Sequence, residues 1–313
     1  MRNFSEVTYF YLSDFYEMEN YKSVYFFIFL IIYVIIVAEN VALLLVVYHE
    51  KILHEPMYLL LCNLAVNGLY GSTALLPAIL SKVLSHSYEI SLPLCQTQIF
   101  ALHTYAIVEF TILAVMSYDR YMAICYPLPY HAIMSQRLGK LIVFTWLYPM
   151  LAFLSVFIFT LQIRFCERKI EKVHCSNYSL VKLACTDTSI LNIVGLLSVV
   201  LYTLPQLMMI FYSYAHILRI CILSVKKSKL KALRTCTPHL LAVINYSIGC
   251  LFEIAQTRLN SSHLPHPARL FLSLYFLIFP PILNPAIYGL SIQVIRVRLL
   301  RLFSRKSRQV QKM

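Results

Sequence analysis

The chain has 313 residues, 59% of them hydrophobic and 13% charged, with a mean hydropathy of +0.69, which is too apolar for an ordinary soluble domain. Its formal charge of +13 does not point to nucleic acid, because the basic residues fall in the breaks between apolar runs and in the tail, as inner-leaflet phospholipid and membrane topology require. What remains is one polytopic membrane protein.

Residues 1–23 carry acids and aromatics but no basic start, short apolar core or small-residue cleavage site. They therefore read as an extracellular tail rather than a signal peptide. Within them, Asn3-Phe4-Ser5 is the glycan acceptor farthest from the bilayer. A hydrocarbon core of ~30 Å takes about 20 helical residues. Runs of sufficient length lie at 24–48, 57–81, 93–118, 139–162, 189–222, 237–257 and 268–291. They lack the strict alternation of barrel strands, so the expected fold is all-α, a bundle of seven transmembrane helices over 24–292. A short amphipathic helix and a basic tail over 293–313 should follow it.

Lys226, Lys227, Lys229, Lys231 and Arg234 precede the sixth span, and Arg296, Arg298, Arg301, Arg305, Lys306, Arg308 and Lys312 follow the seventh. The positive-inside rule then puts the C-terminus in the cytoplasm and the N-terminus outside. The cysteines agree. Cys95, Cys166, Cys175 and Cys185 fall on the extracellular side, where disulfides persist, and the other five fall within spans or on the cytoplasmic side. Four cysteines allow three pairings, and the sequence does not choose among them.

Several polar groups stand out. Asp119 and Arg120 end the third span, where they form a charged latch or, on the plainer view, an interfacial Arg reaching for phosphate. Asn40 and Glu109 lie near mid-membrane, where polar groups are costly enough to be functional candidates. Asn284-Pro285-Ala286-Ile287-Tyr288 puts a Pro inside an apolar helix, removing one backbone bond and kinking it. Ile99, His103, Ala106 and Phe110 recur at helical spacing on one face of the third span. Such a face suits a mostly apolar small-molecule site.

Four motifs occur in order: LHEPMYLLLCNLA (Leu53 to Ala65), SYDRYMAICYPLPYHAIMS (Ser117 to Ser135), KALRTCTPHL (Lys231 to Leu240) and PPILNPAIY (Pro280 to Tyr288). Together they resemble the odorant-receptor family of rhodopsin-like G-protein-coupled receptors. NGLYG, from Asn67 to Gly71, resembles the fish members more than the mammalian ones. The resemblance implies disulfides Cys95–Cys175 and Cys166–Cys185, the first pinning the long extracellular loop to the third helix as a lid. It implies a coupling end built from Asp119, Arg120, Tyr121, Tyr214, Asn284, Pro285 and Tyr288, and an internal polar network including Asn40 and Glu109. Two departures weigh against sodium binding there: Gly68 stands where many relatives carry Asp, and Glu39 replaces the usual Gly before Asn40. Glu109 is instead expected to carry a proton or to bond neighbouring polar groups. Ser247 stands where relatives usually have a Tyr, with Tyr246 as the candidate substitute.

By family position, Leu102, Ile107, Asn192, Val199, Ile254 and Arg258 join Ile99, His103 and Ala106 around a ligand. His103 and Arg258 either clasp a carboxylate, or Arg258 turns outward while His103 bonds the lid. The implied function is an odorant receptor at the plasma membrane, in the cilia of olfactory neurons. It would be brought there by trafficking chaperones and coupled to a stimulatory olfactory-type G protein that raises cAMP, without a cofactor. A transporter is disfavoured because no internal repeat is visible. An enzyme is disfavoured because HExxH, a phosphate loop and a nucleophile elbow are all missing.

Overall fold

A computed structural model of the protein describes residues 7–85, 87–223, 226–258, 264–292 and 294–298. The long helices are α1 (Lys22–His49), α2 (Pro56–Leu84), α3 (Leu92–Cys125), α4 (Pro127–Leu161), α6 (Ser189–Leu223), α7 (Lys226–Arg258) and α8 (His266–Ser291). All seven are long and apolar enough to cross a membrane. A short helix, α5 (Asn177–Val181), lies in the loop between α4 and α6. Four long helices, α2, α3, α4 and α8, open with Pro in their first turn, where its missing N–H costs nothing and its fixed φ suits the helix.

Each of the seven expected runs matches one long helix, with 139–162 overrunning the end of α4 by one residue, but two helices begin more than ten residues earlier than hydropathy indicates. α4 starts at Pro127 and so absorbs the PLPY segment, and α7 starts at Lys226 and turns the basic stretch into helix. Hydropathy stops at the membrane surface, whereas helices continue while no breaker intervenes, and Lys, Leu, Ala and Arg are good helix formers in water. After α8 the chain resumes helix over 294–298, with Ile295 buried and Arg298 paired to Glu50 at 3.0 Å. The rest of the expected amphipathic helix and basic tail lies outside the described residues, as does Asn3.

The N-terminal segment folds across the extracellular end. β1 (Tyr9–Leu12) pairs antiparallel with β2 (Glu89–Ser91), Tyr9 opposite Ser91, and parallel with β3 (Lys169–Ile170), Tyr11 opposite Lys169. A 3-10 helix over Ser13–Tyr21 follows. Phe10, Leu12, Phe15 and Met18 are buried in the same cluster as Leu75, Ile99, Tyr105, Phe153 and Leu274. Arg269 on α8 holds the segment through Glu17 at 2.7 Å and Asp14 at 3.6 Å.

α3 is the most buried span and touches both ends of the molecule. At 34 residues and 1.5 Å per residue it runs about 50 Å. Small residues let its neighbours approach closely. A Cβ at Gly71 of α2 would run into the Tyr105 ring of α3, and one at Gly249 of α7 would sit 2.7 Å from the Phe276 Cβ of α8. Large apolar side chains left exposed on α1, α4 and α6, among them Phe27, Ile31, Leu151, Leu201, Met208 and Phe211, are the surface a lipid bilayer would cover.

Candidate functional site

At the extracellular end both disulfides are formed, Cys95–Cys175 and Cys166–Cys185. The first fastens the loop between α4 and α6 to the top of α3, and Gln98 strengthens the joint by accepting the Cys175 N–H at 2.9 Å. Two residues of that loop lie deep beneath it. Lys172 is buried and pairs with Glu253 of α7 at 2.6 Å. His174 is also buried, and its Nδ1 has no hydrogen-bond partner among the described residues. Burial and the nearby Lys172 and His103 hold the His174 imidazole well below its ordinary pKa, since each disfavours a second positive charge.

Among the described residues His103 makes no hydrogen bond to the lid. Its Nδ1–H donates to the Ile99 carbonyl of its own helix at 2.9 Å, and the ring stacks on Phe153 of α4 at 4.7 Å between centroids. A carbonyl can only accept, so this bond fixes the tautomer and leaves Nε2 as the acceptor in a neutral ring. Arg258 is the last residue of α7, and its side chain lies outside the described residues. Ile99 and Leu102 are buried in the outer core, with Ala106 and Ile107 half-buried against it. Asn192 turns its amide back to Thr188. Val199 and Ile254 are 46% and 49% exposed, so burial does not put them in the space between helices.

At mid-membrane Glu109 is fully bonded. Asn67 Nδ2 donates to Oε2 and Asn284 Nδ2 to Oε1, both at 2.7 Å, joining α2, α3 and α8 through one carboxyl group. Asn40 stands one step away, its Nδ2 donating to the carbonyls of Ile36 and Pro281 at 2.8 Å. The Pro281 carbonyl it reaches is accessible because Pro285, four residues on, has no N–H to offer it. Gly68 sits against Pro281, whose Cβ would be 3.3 Å from an added one, and α2 contributes no carboxylate here. Tyr246 bridges α7 to α3 by donating to the Ala106 carbonyl at 2.6 Å and stacking on Phe110. Ser247 bonds its own helix.

The cytoplasmic end is closed. Arg120 donates to Asp119 Oδ2 at 2.5 Å, and Tyr130 of α4 donates to Asp119 Oδ1 at 2.8 Å. Asp119 is completely buried and Arg120 nearly so, which excludes the view of Arg120 as a side chain reaching out to phosphate. A second tie crosses three helices. His239 Nε2–H donates to the Leu113 carbonyl at 2.9 Å, leaving Nδ1 to accept the Tyr214 hydroxyl at 2.7 Å. Tyr121 packs edge-on against Tyr126 and Tyr212. Tyr288 is wholly buried, and its hydroxyl has no partner among the described residues. α3, α6 and α7 are thus held together at the end where a cytoplasmic partner would enter.

Asn67, Tyr130, Lys172 and His239 are absent from the candidates read off the sequence. Asn67 and His239 carry the signal used for Glu109, a polar group inside an apolar run. Tyr130 and Lys172 carry none, because each acts through a partner on another element.

A family model described as olfactory receptor matches residues 29–306. The human protein named olfactory receptor 4E1 is 34% identical, over 98% of this chain and 97% of its own length. Human olfactory receptor 52D1 is 33% identical over 86% of each, and human olfactory receptor 51G1 is 31% identical over 94% of this chain and 92% of its own. With seven membrane-crossing helices, a disulfide-held extracellular loop and a closed Asp119–Arg120 latch already in place, the chain belongs to the olfactory receptor family, a family of membrane receptors and not of enzymes.

Proposed function

We propose that the protein binds a small odorant in the extracellular half of the bundle, beneath the lid. Ile99, Leu102, His103, Ala106, Ile107, Asn192, Val199, Ile254 and Arg258 would surround the ligand. Binding would pass along α3 to the coupling end, where Asp119, Arg120, Tyr121, Tyr214, Asn284, Pro285 and Tyr288 would admit a stimulatory olfactory-type G protein and raise cAMP. The observation that carries this reading is the continuity of α3 from the lid disulfide at Cys95 to the latch at Asp119 and Arg120. A ligand that moves α3 against α7 strains the Tyr246 bond at its middle and the His239 bond below it, and both must change before the cytoplasmic end can open. The site of action would be the ciliary membrane of olfactory neurons, reached with trafficking chaperones.

The test is a cAMP reporter in cells with chaperone-assisted surface expression, screened with acids, amino acids, alcohols and aldehydes. The expected result is a concentration-dependent response that Arg120→Ala abolishes at equal surface level. Silence to every ligand, with basal signal unmoved by Arg120→Ala, overturns it.

A further inference from the structure

The lid's one ion pair to the bundle among the described residues is Lys172–Glu253, and its two partners are not equivalent. The Lys172 side chain is 7% exposed and that of Glu253 21%. Lys172 stands three residues before Cys175, on the part of the loop that the Cys95 disulfide fastens to α3. Glu253 rides on α7, a separate helix. Both imidazoles of the mouth, His103 and His174, lie close enough to feel the Lys172 charge. A buried ammonium among imidazoles cannot remain without an anion, because its desolvation is not otherwise offset. The more exposed carboxylate can leave at lower cost, by turning to water.

We propose that Lys172 is the anion-receiving residue of the odorant site, and that a ligand carboxylate replaces Glu253 on it, so that occupancy releases α7 from the lid. The exchange swaps one carboxylate for another on a fixed ammonium and leaves Glu253 at the mouth's edge. An amine cannot use the same exchange, since taking the place of Lys172 on Glu253 would strand the more buried charge beside two imidazoles. The lid is thereby a recognition element as well as a cover, and the cation that selects an acid lies outside the membrane spans. This deepens the receptor reading above and rests on it.

The test uses the full chain, surface-expressed with the cAMP reporter. The probes are straight-chain monocarboxylates from propionate to decanoate, with the alcohol, methyl ester and amine of each length. Some carboxylate should activate, and Lys172→Gln should weaken its potency by about tenfold or more while sparing an alcohol or ester agonist. Glu253→Gln, which vacates the ammonium, should raise the basal signal and shift the carboxylate response to lower concentration. Exchange of the two charges, Lys172→Glu with Glu253→Lys, should bring the basal signal back down and still lack the carboxylate response. If Lys172→Gln fails to reach the surface, that exchange variant and Lys172→Arg carry the test.

Equal loss of acid and neutral responses in Lys172→Gln overturns the proposal, as does a preference for the amines. So does a carboxylate response unchanged in Lys172→Gln. An Arg120-dependent response confined to neutral odorants overturns this proposal and leaves the receptor reading standing. Silence to all probes at full surface level counts against both.

Discussion

At its cytoplasmic end the carboxylate latch of α3 is built from groups close in the chain, since Arg120 adjoins Asp119 and Tyr130 lies 11 residues on, and the one distant hydrogen bond described there is His239 to Leu113. At its extracellular end the ties come from far away. Cys95 reaches Cys175 across 80 residues, Lys172 reaches Glu253 across 81, and β1 draws in the N-terminus. A latch made of near neighbours opens by losing one or two hydrogen bonds while the bundle stays intact. A mouth assembled from distant segments depends on the whole bundle being folded. The cytoplasmic latch should therefore respond to substitution in signalling, and the disulfides and close packing of the extracellular end, apart from the Lys172–Glu253 pair, in stability and surface delivery.

The strongest challenge to that contrast is Cys95→Ser, which opens the 80-residue link. Loop-closure entropy assigns about 4 to 5 kcal/mol to it, against about 3 kcal/mol for the 19-residue link opened by Cys166→Ser. Flow cytometry of the tagged receptor should find Cys95→Ser nearly absent from the surface and Cys166→Ser reduced. Comparable levels for the two would count against it. Gly71→Ala comes next. Its new methyl meets the Tyr105 ring, and overpacking costs about 1 to 3 kcal/mol. The melting temperature of the solubilised receptor should fall, and Tyr105→Leu in the same chain should restore part of the loss.

Tyr130→Phe tests the other end. It removes one donor from a buried carboxylate, a bond worth about 1.5 to 3 kcal/mol when one group is charged. Basal cAMP should rise up to about tenfold with surface level little changed, whereas a fall in surface level without a rise in signal would blur the distinction between the two ends. The smallest effect is expected from pH. His174 is held neutral, so the unfolded chain binds the extra proton below the ordinary value of 6.5. Its contribution to stability is complete above that value and erodes as pH falls, by at most about 1.4 kcal/mol per pH unit. Melting curves between pH 7.5 and 5.5 should show this slope, and His174→Gln should flatten it.

The two ends also differ in how far they can be read without coordinates. The latch lies in one contiguous motif, so Asp119 and Arg120 are identifiable on sight. Even so, Tyr130, which completes it, is hidden inside PLPY, because nothing in that segment indicates that α4 begins at Pro127 and brings the ring back to α3. Glu109 is visible as a costly group in an apolar run, but its partners Asn67 and Asn284 are on two other helices. At the mouth, His103 bonds Ile99 of its own helix rather than the lid and stacks on Phe153. A helix offers every His an acceptor one turn back, and only the neighbouring ring decides whether that option wins. Lys172 shares its loop with Arg164, Arg168, Lys169 and Lys182, and its burial against α7 has no local signature.

Sequence alone determined that seven helices cross a membrane, which way they face, which family motifs they carry and which end couples inside the cell. Hydropathy, charge bias and motif spacing are summed along the chain and survive without coordinates. The tertiary structure alone decided that Glu109 is bonded by two amides, that His239 ties α3, α6 and α7 together, that the N-terminal strand joins the lid and that Lys172 meets Glu253. Each of these is a bond of about 3 Å between segments distant in sequence, and hydrogen bonds and ion pairs fall away within an ångström or two of that length. Only the packed arrangement of the helices sets such distances.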